Sequence, residues 1–303
     1  KSRSRGLGDV YKRQNINIIP SFSSFIKSGN FGFVAILIYT VIIIFAVFSS
    51  NLISTVIKFY RFSAKKLNNN LTVSYGLISS KTILMSPNKV QVFSYTQNWI
   101  QNKIDLCNIV IYQASSSIST SSEKSNDGSK VYIPGANYFD RKKLFQFIYK
   151  SSDKNEILIK PNIRKFFVNL FLIGILPSAI FFTLNYFFNF FEIINYLIIQ
   201  LTFLVFSFLF SYRLYRNSFL SVSENFIKVQ SGFWDIKTRI IEIHKIQSIV
   251  IDQDIWYKRL NLADLTICTA GGMIRFSFID FNKLKVITDN LIYKVELSNK
   301  SWM

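Results

Sequence analysis

Two kinds of hydrophobic patterning alternate along this chain. The first is the long unbroken apolar run. Phe166–Leu184 and Phe190–Tyr212 are two such runs, joined by the short link Asn185–Asn189. No Lys, Arg or Asp interrupts them, and the one acid, Glu192, sits beside the link. About 20 apolar residues carry a helix across a bilayer core, where only a helix satisfies its own backbone within one segment. The pattern therefore predicts a helical hairpin over residues 160–216, with a further crossing over 31–60 from the apolar run Phe31–Phe48. The second pattern is short alternation at strand spacing. It marks strands at Leu71–Tyr75, Thr82–Met85, Val90–Tyr95, Leu106–Gln113 and Val131–Ile133, then a helix at Tyr138–Tyr149. After the hairpin it marks Phe219–Val222, Phe226–Gln230, Thr238–Ile243, Ile246–Ile251, Leu265–Thr269 and Ile274–Phe278. A closing helix follows at Phe281–Leu297, with Asp280 as its cap.

The two strand-rich halves are copies. Leu71–Ser115 aligns without a gap on Ile227–Gly271, an offset of 156 residues. Ten of the 45 positions are identical, among them Gly76/Gly232, Lys89/Lys245, Gln91/Gln247 and Gln97/Gln253. The matched glycines fall where each copy needs a turn.

Charge orients the apolar runs. Lys58, Arg61, Lys65 and Lys66 follow the first; Lys160, Arg164 and Lys165 precede the second; Arg213 and Arg216 follow the third; the Asn185–Asn189 link has no Lys or Arg. Positive charge stays on the cytoplasmic side, so both strand-rich halves are expected there. The formal charge of +19 includes a stretch that does not read as native protein. Residues 1–14 contain Asp9–Gln14 (DVYKRQ), which looks like a translated sequencing adapter, and they hold five Lys/Arg and one Asp, which leaves +15 for the rest. Residues 15–30 form a remnant with no assignable element, and a chain that starts mid-hairpin would explain it. Lys abundance beside many Asn, Ile and Phe fits an AT-rich genome, so the basic balance does not point to nucleic acid.

The second copy carries recognisable residues: Val229–Gly232 (VQSG), His244–Ile249 (HKIQSI), Arg259–Ala263 (RLNLA) and Leu265–Gly272 (LTICTAGG). They resemble the bacterial pleckstrin-homology-like domain of YdbS- and YdbT-type multi-pass membrane proteins. The first copy is a more diverged instance, over Tyr75–Gly76, Pro87, Lys89–Val92, Ile104–Leu106 and Gln113–Ala114. Two positions depart: Ile243 stands where the family often has proline, and Asn261 where it often has glycine. If the turn is kept, Asn261 must take a left-handed backbone. The resemblance implies an α+β membrane protein with two small β-barrels of near-orthogonal sheets (residues 62–150 and 217–297), each capped by a C-terminal helix. It also implies a bacterial inner-membrane location and, in many members, a third such domain.

Little in the chain suggests catalysis. There is one histidine, His244; two cysteines, Cys107 and Cys268, without CxxC spacing; and no P-loop, GxGxxG or HExxH. No nucleophile–base arrangement, metal site or cofactor is expected. Gly271–Gly272 reads as a structural turn, Pro177 and Gly174 as a helix kink, and Glu192 as a solvated acid at the outer interface. The candidate site is basic and aromatic: Lys237, Arg239, Lys245, Trp256, Lys258 and Arg259 in the second copy, and Lys81, Lys89, Trp99 and Lys103 in the first. Two functions fit. One is a non-enzymatic scaffold that holds the domains at the membrane for a protein partner or a second copy, in envelope maintenance or stress response. The other is a sensor of anionic lipid head groups, to which each juxtamembrane cation adds about 1 kcal/mol. A transporter or membrane enzyme fits less well, because the crossings lack paired ionisable groups.

Overall fold

The structure, a computed structural model, describes residues 29–67, 69–114, 130–149, 156–188 and 191–298. The expectations for residues 1–14 and for most of 15–30 lie outside the described residues. The chain divides into two compact units, Lys1–Arg61 with Gly76–Ser79, and Phe62–Tyr75 with Ser80–Met303.

The described part of the first unit is one helix, α1 (Gly29–Lys58), and a turn. The Gly76 amide donates to the Tyr60 carbonyl at 3.0 Å and the Leu77 amide to the Ile57 carbonyl at 3.2 Å. These bonds satisfy carbonyls that a helix end leaves open.

In the second unit the repeat appears element by element. Copy one runs β1 (Ser63–Leu67), β2 (Asn70–Tyr75), β3 (Lys81–Met85), a 3-10 turn at Pro87–Lys89, β4 (Val90–Gln97), α2 (Trp99–Lys103), β5 (Leu106–Gln113), β6 (Lys130–Asn137) and α3 (Tyr138–Tyr149). The link adds β7 (Ile157–Ile159) and a crossing built of α4 (Arg164–Leu170), a π-helical turn (Phe171–Ile175) and α5 (Leu176–Phe188). Its return leg is α6 (Ile193–Arg216). Copy two runs β8 (Phe219–Val222), β9 (Phe226–Ser231), β10 (Ile236–Glu242), a 3-10 turn at Ile243–Lys245, β11 (Ser248–Asp252), α7 (Ile255–Leu260), β12 (Leu262–Thr269), β13 (Gly272–Asp280) and α8 (Phe281–Leu297).

Small details repeat too. Gln97 donates to the Leu106 carbonyl at 3.1 Å and Gln253 to the Leu262 carbonyl at 2.9 Å. Asn108 accepts from the Gly135 amide and Asp264 from the Phe278 amide, both at 3.1 Å, across a bulge in each copy's last hairpin. Asn261 is left-handed, as the resemblance requires, and so is its equivalent Asp105, each at φ 52°. Asp280 caps α8 as expected, accepting from the Asn282 and Lys283 amides.

The copies are not two separate barrels. Three strands of each copy join one antiparallel seven-stranded sheet, ordered β6-β5-β4-β10-β9-β8-β7. Its seam pairs β4 of copy one with β10 of copy two, Phe93 opposite Ile240 and Val92 opposite Ile241. Successive strand residues face opposite sides, and here each side is a core. On one face Phe93 and Phe226 pack against Phe145 and Tyr149 of α3, with ring centroids 5.1–6.4 Å apart. On the other, Val92, Ile227 and Ile241 join a cluster with Leu265, Phe276, Leu284 and Leu291 of copy two. Copy one's helix thus covers a strand of copy two.

The tip of the β12–β13 hairpin closes the seam. Gly271 sits so near copy one that a Cβ there would lie 2.8 Å from Gln91 Cβ and 3.2 Å from Tyr112 Cβ. The structural reading of Gly271–Gly272 therefore acquires a partner. We expect Gly271→Val to cost about 1–3 kcal/mol through overpacking, read as a lower denaturation midpoint of the full chain. An unchanged midpoint would mean that the seam yields freely.

Candidate functional site

The helical hairpin is fixed to the second copy at its base. The Asn162 amide donates to the Phe278 carbonyl at 2.7 Å, Arg164 Nη1 to the Leu260 carbonyl at 2.8 Å, and Lys165 Nζ to Ser218 Oγ at 3.0 Å. On the return leg Asn217 Nδ2 donates to the Gly232 carbonyl at 3.2 Å, and the Phe210 ring meets that of Phe233 at a tilt, with centroids 4.1 Å apart. The β9–β10 turn and the C-terminal end of α7 therefore lie against the hairpin's two charged ends. Gly232 makes that turn possible: at φ 137° it leaves no room for a Cβ, which would meet the Asp235 carbonyl at 2.1 Å.

Higher up, the hairpin legs meet through small residues. A Cβ on Gly174 would lie 3.0 Å from Ser207 Cβ, and Ser178, Ser207 and Ser211 are buried. Close approach over Gly and Ser is how helices pack in lipid, which offers no hydrophobic drive between them. Three helices, Ala35–Lys58, Arg164–Phe188 and Ile193–Arg216, are long and apolar enough to cross a membrane.

The candidate residues separate into three groups. Trp256, Lys258 and Arg259 are exposed together on α7, flanked by exposed Ile255 and Leu260. Tyr257, on the same helix, turns inward onto Phe278 at 5.2 Å, and burial with Asp264 and Asp254 pushes its phenol up to about 12. In copy one Trp99 and Lys103 are exposed on the equivalent α2, the ammonium 4.1 Å above the indole. A second group, Lys237 and Arg239 on β10 and Lys81 on β3, is half-buried in the sheets and away from α7. The third is Lys89 and Lys245, identical in sequence and opposite in fate. Lys89 is exposed. Lys245 is buried, donating to the Val90 carbonyl at 2.5 Å and pairing with Glu242 at 2.8 Å. Lys245 is thus a tie across the seam and is corrected from the surface set.

Sequence reasoning missed Phe233 and exposed Trp234, beside the hairpin base, and Arg164 as the residue that ties α7 to it. A signal was present: bulky apolar pairs follow the turn glycine in both copies, Leu77-Ile78 and Phe233-Trp234.

Chemistry remains sparse. A cavity of about 140 Å³ in copy one is lined by Gln97, Asn102, Asp105, Cys107, Tyr138 and Arg141. Burial pushes the Cys107 thiol up, against the pull of Arg141, so it stays a thiol rather than a nucleophilic thiolate. Cys268 is half-buried. Among the described residues no three His, Cys, Asp or Glu gather as metal ligands. Burial, and then the Glu242 carboxylate, hold the Tyr149 phenol well above its usual range.

Helices long and apolar enough to cross a membrane, joined to duplicated small β domains, make this an α+β protein built on a repeat. The chain matches the profile of the bacterial PH domain family twice, over residues 15–151 and 171–295, and it belongs to that family. Both matched spans take in apolar helix ahead of the strands, so the repeated unit includes a long apolar helix as well as the strands. No curated protein matches the chain.

The seam tie yields a contrast between equivalent lysines. Lys245→Met leaves the Glu242 carboxylate without its buried ammonium partner and should cost about 3 kcal/mol. Lys89→Met, on the surface, should stay within about 0.5 kcal/mol. Denaturant melts of the two variants measure the difference, and equal effects would count against the tie.

Proposed function

We propose that this protein is a non-enzymatic, multi-pass scaffold of a bacterial inner membrane, holding two joined PH domains against its cytoplasmic face. The observation that carries this reading is the hairpin base. Arg164, Lys165, Arg213 and Arg216 ring it, and three of its polar bonds are made directly to copy two, to Phe278, Leu260 and Ser218. A domain so bonded cannot swing away from the bilayer. PH domains are generally non-catalytic, and the sparse ionisable chemistry agrees with that. The distribution of charge supports the orientation. With Tyr186→Cys, an impermeant maleimide should label intact cells; with Ser248→Cys it should label only after permeabilisation. The opposite pattern would reverse the topology and end the proposal.

A second reading rests on α7. Trp256, Lys258 and Arg259 are exposed on a helix whose last carbonyl is held by the first residue of a membrane crossing. An indole suits the interfacial layer, and the two cations suit anionic head groups. The isolated copy two is a poor test object, because β10 would lose β4 and its core would lose Val92. The full chain in nanodiscs of neutral or anionic brominated lipid is the better one. Tryptophan quenching should be stronger in anionic discs, fall with salt, and drop with Trp256→Phe. Lys258→Ala with Arg259→Ala should abolish the difference between discs. Equal quenching in both discs for the parent chain would leave the scaffold without a lipid-reading role.

A further inference from the structure

Each copy of the repeat has two joining edges, and the described strands use only half of them. The seam joins the fourth strand of copy one, β4, to the third strand of copy two, β10. The equivalents left over are β3, the third strand of copy one, and β11, the fourth strand of copy two. Among the described strands β3 pairs only with β2, and β11 only with β12.

The side chains record the same vacancy. On β10, Ile240, opposite Phe93 on the face where α3 packs, is 5% exposed, whereas its equivalent on β3, Leu84, is 61% exposed. On β4, Ser94 is fully buried, whereas its equivalent on β11, Val250, is an apolar residue left 42% exposed. Gln91, under the Gly271 tip, is buried, and Gln247 is exposed; Lys245 is buried, and Lys89 is exposed. At all four positions, what the seam covers in one copy stands open in the other. Two open edges with apolar residues are templates for pairing, and the shape that fits them is already present in the chain.

We propose that β11 of one molecule pairs antiparallel with β3 of a second copy of this chain, repeating the β4–β10 seam between molecules. Carrying the seam's register over by the 156-residue offset sets Lys81 opposite Asp252, Ile83 opposite Val250 and Leu84 opposite Ile249. The middle and last of these are apolar pairs, and the first is oppositely charged. Both kinds stabilise facing strands. The partner's α8 then packs on the face of Leu84 as α3 packs on the face of Ile240. The contact is head-to-tail: each added molecule uses one β3 and one β11 and presents the other pair. Assembly therefore continues beyond two unless the ring closes.

The test uses the full chain in detergent or native membrane. Ile83→Cys and Val250→Cys chains, prepared separately and mixed, should form a disulfide-linked pair at least about tenfold more than either alone, because facing Cβ atoms lie about 5 Å apart. The parent chain controls for Cys107 and Cys268. Val250→Lys places a charge on the open edge and should reduce the parent's mass distribution to single chains while its melting temperature is unchanged, since residue 250 is exposed. A mixed sample that cross-links no more than its components, or a parent chain of monomer mass, overturns the proposal. So does a mass distribution indifferent to Val250→Lys, which would assign the association to another surface.

Discussion

A single pair of strands, β4 and β10, decides how this protein is built. Strands in the middle of a sheet need a hydrogen-bonding neighbour on both sides, and neither copy supplies both from its own strands. The solution places β10 between β9 and β4, and the rest follows from that register. Phe93 and Ile240 fall on one face and Val92 and Ile241 on the other, so each copy's core borrows a wall from its neighbour. The α3 helix, coded by copy one, packs on Phe226 of copy two. Lys245 and Gly271 then close the same end of the seam, beside Val90–Val92, one with a buried ammonium on the Val90 carbonyl and one with the absence of a side chain.

The membrane hairpin is a second constraint, and it acts on geometry more than on stability. Pro177 cannot donate its backbone nitrogen, so a regular helix would lose a bond near the middle of the hairpin's first leg. The π-helical turn Phe171–Ile175 precedes it, with the Leu176 amide reaching back to the Phe171 carbonyl. An extra residue in the turn rotates everything before it relative to everything after it. The kink expected from Pro177 and Gly174 is thus a wide turn, and Gly174 has a definite job, letting Ser207 approach. Below the turn, Phe166 meets Phe208 edge-on at 5.4 Å, where the legs approach copy two.

Much of this plan was legible in the sequence. Apolar runs locate the three long helices because lipid demands unbroken apolarity. The 156-residue offset predicts equal elements in both halves. Tyr138–Tyr149, Phe281–Leu297, Leu106–Gln113 and Phe219–Val222 have the bounds that periodicity assigned. What escaped has physical reasons. The β1 strand, SAKKL, is an exposed edge whose lysines mimic a basic helix end, and α1 in fact stops at Lys58. With three residues, β7 is too short to show a period. The helices α2 and α7 are single turns held by their caps, the Asn98 capping box in one and left-handed Asn261 in the other. The seam itself was hidden because periodicity says which face of a strand is buried and not whose strand lies beside it. Of the candidate site, the α7 trio and the α2 pair could be found from charge next to aromatics. Trp234 was signalled only by the apolar pair after the turn glycine, whose meaning comes from the hairpin base that Phe233 touches.

Duplicated residues therefore do not carry duplicated roles. Lys89 and Lys245 descend from one pattern position, as do Gln91 and Gln247, yet one of each pair is solvated and the other is enclosed. The difference is not in the residues or in their own copy's fold, which match down to the Gln97 and Gln253 bonds. It lies in whether a neighbouring copy is present on that side. A buried lysine is costly unless paired, so Lys245 is tolerated only because Glu242 and the Val90 carbonyl meet it, and Val90 belongs to the other copy. Neither half could have been optimised alone. The pair, with its membrane hairpin between, is the smallest piece of this chain in which each of those buried groups has its partner.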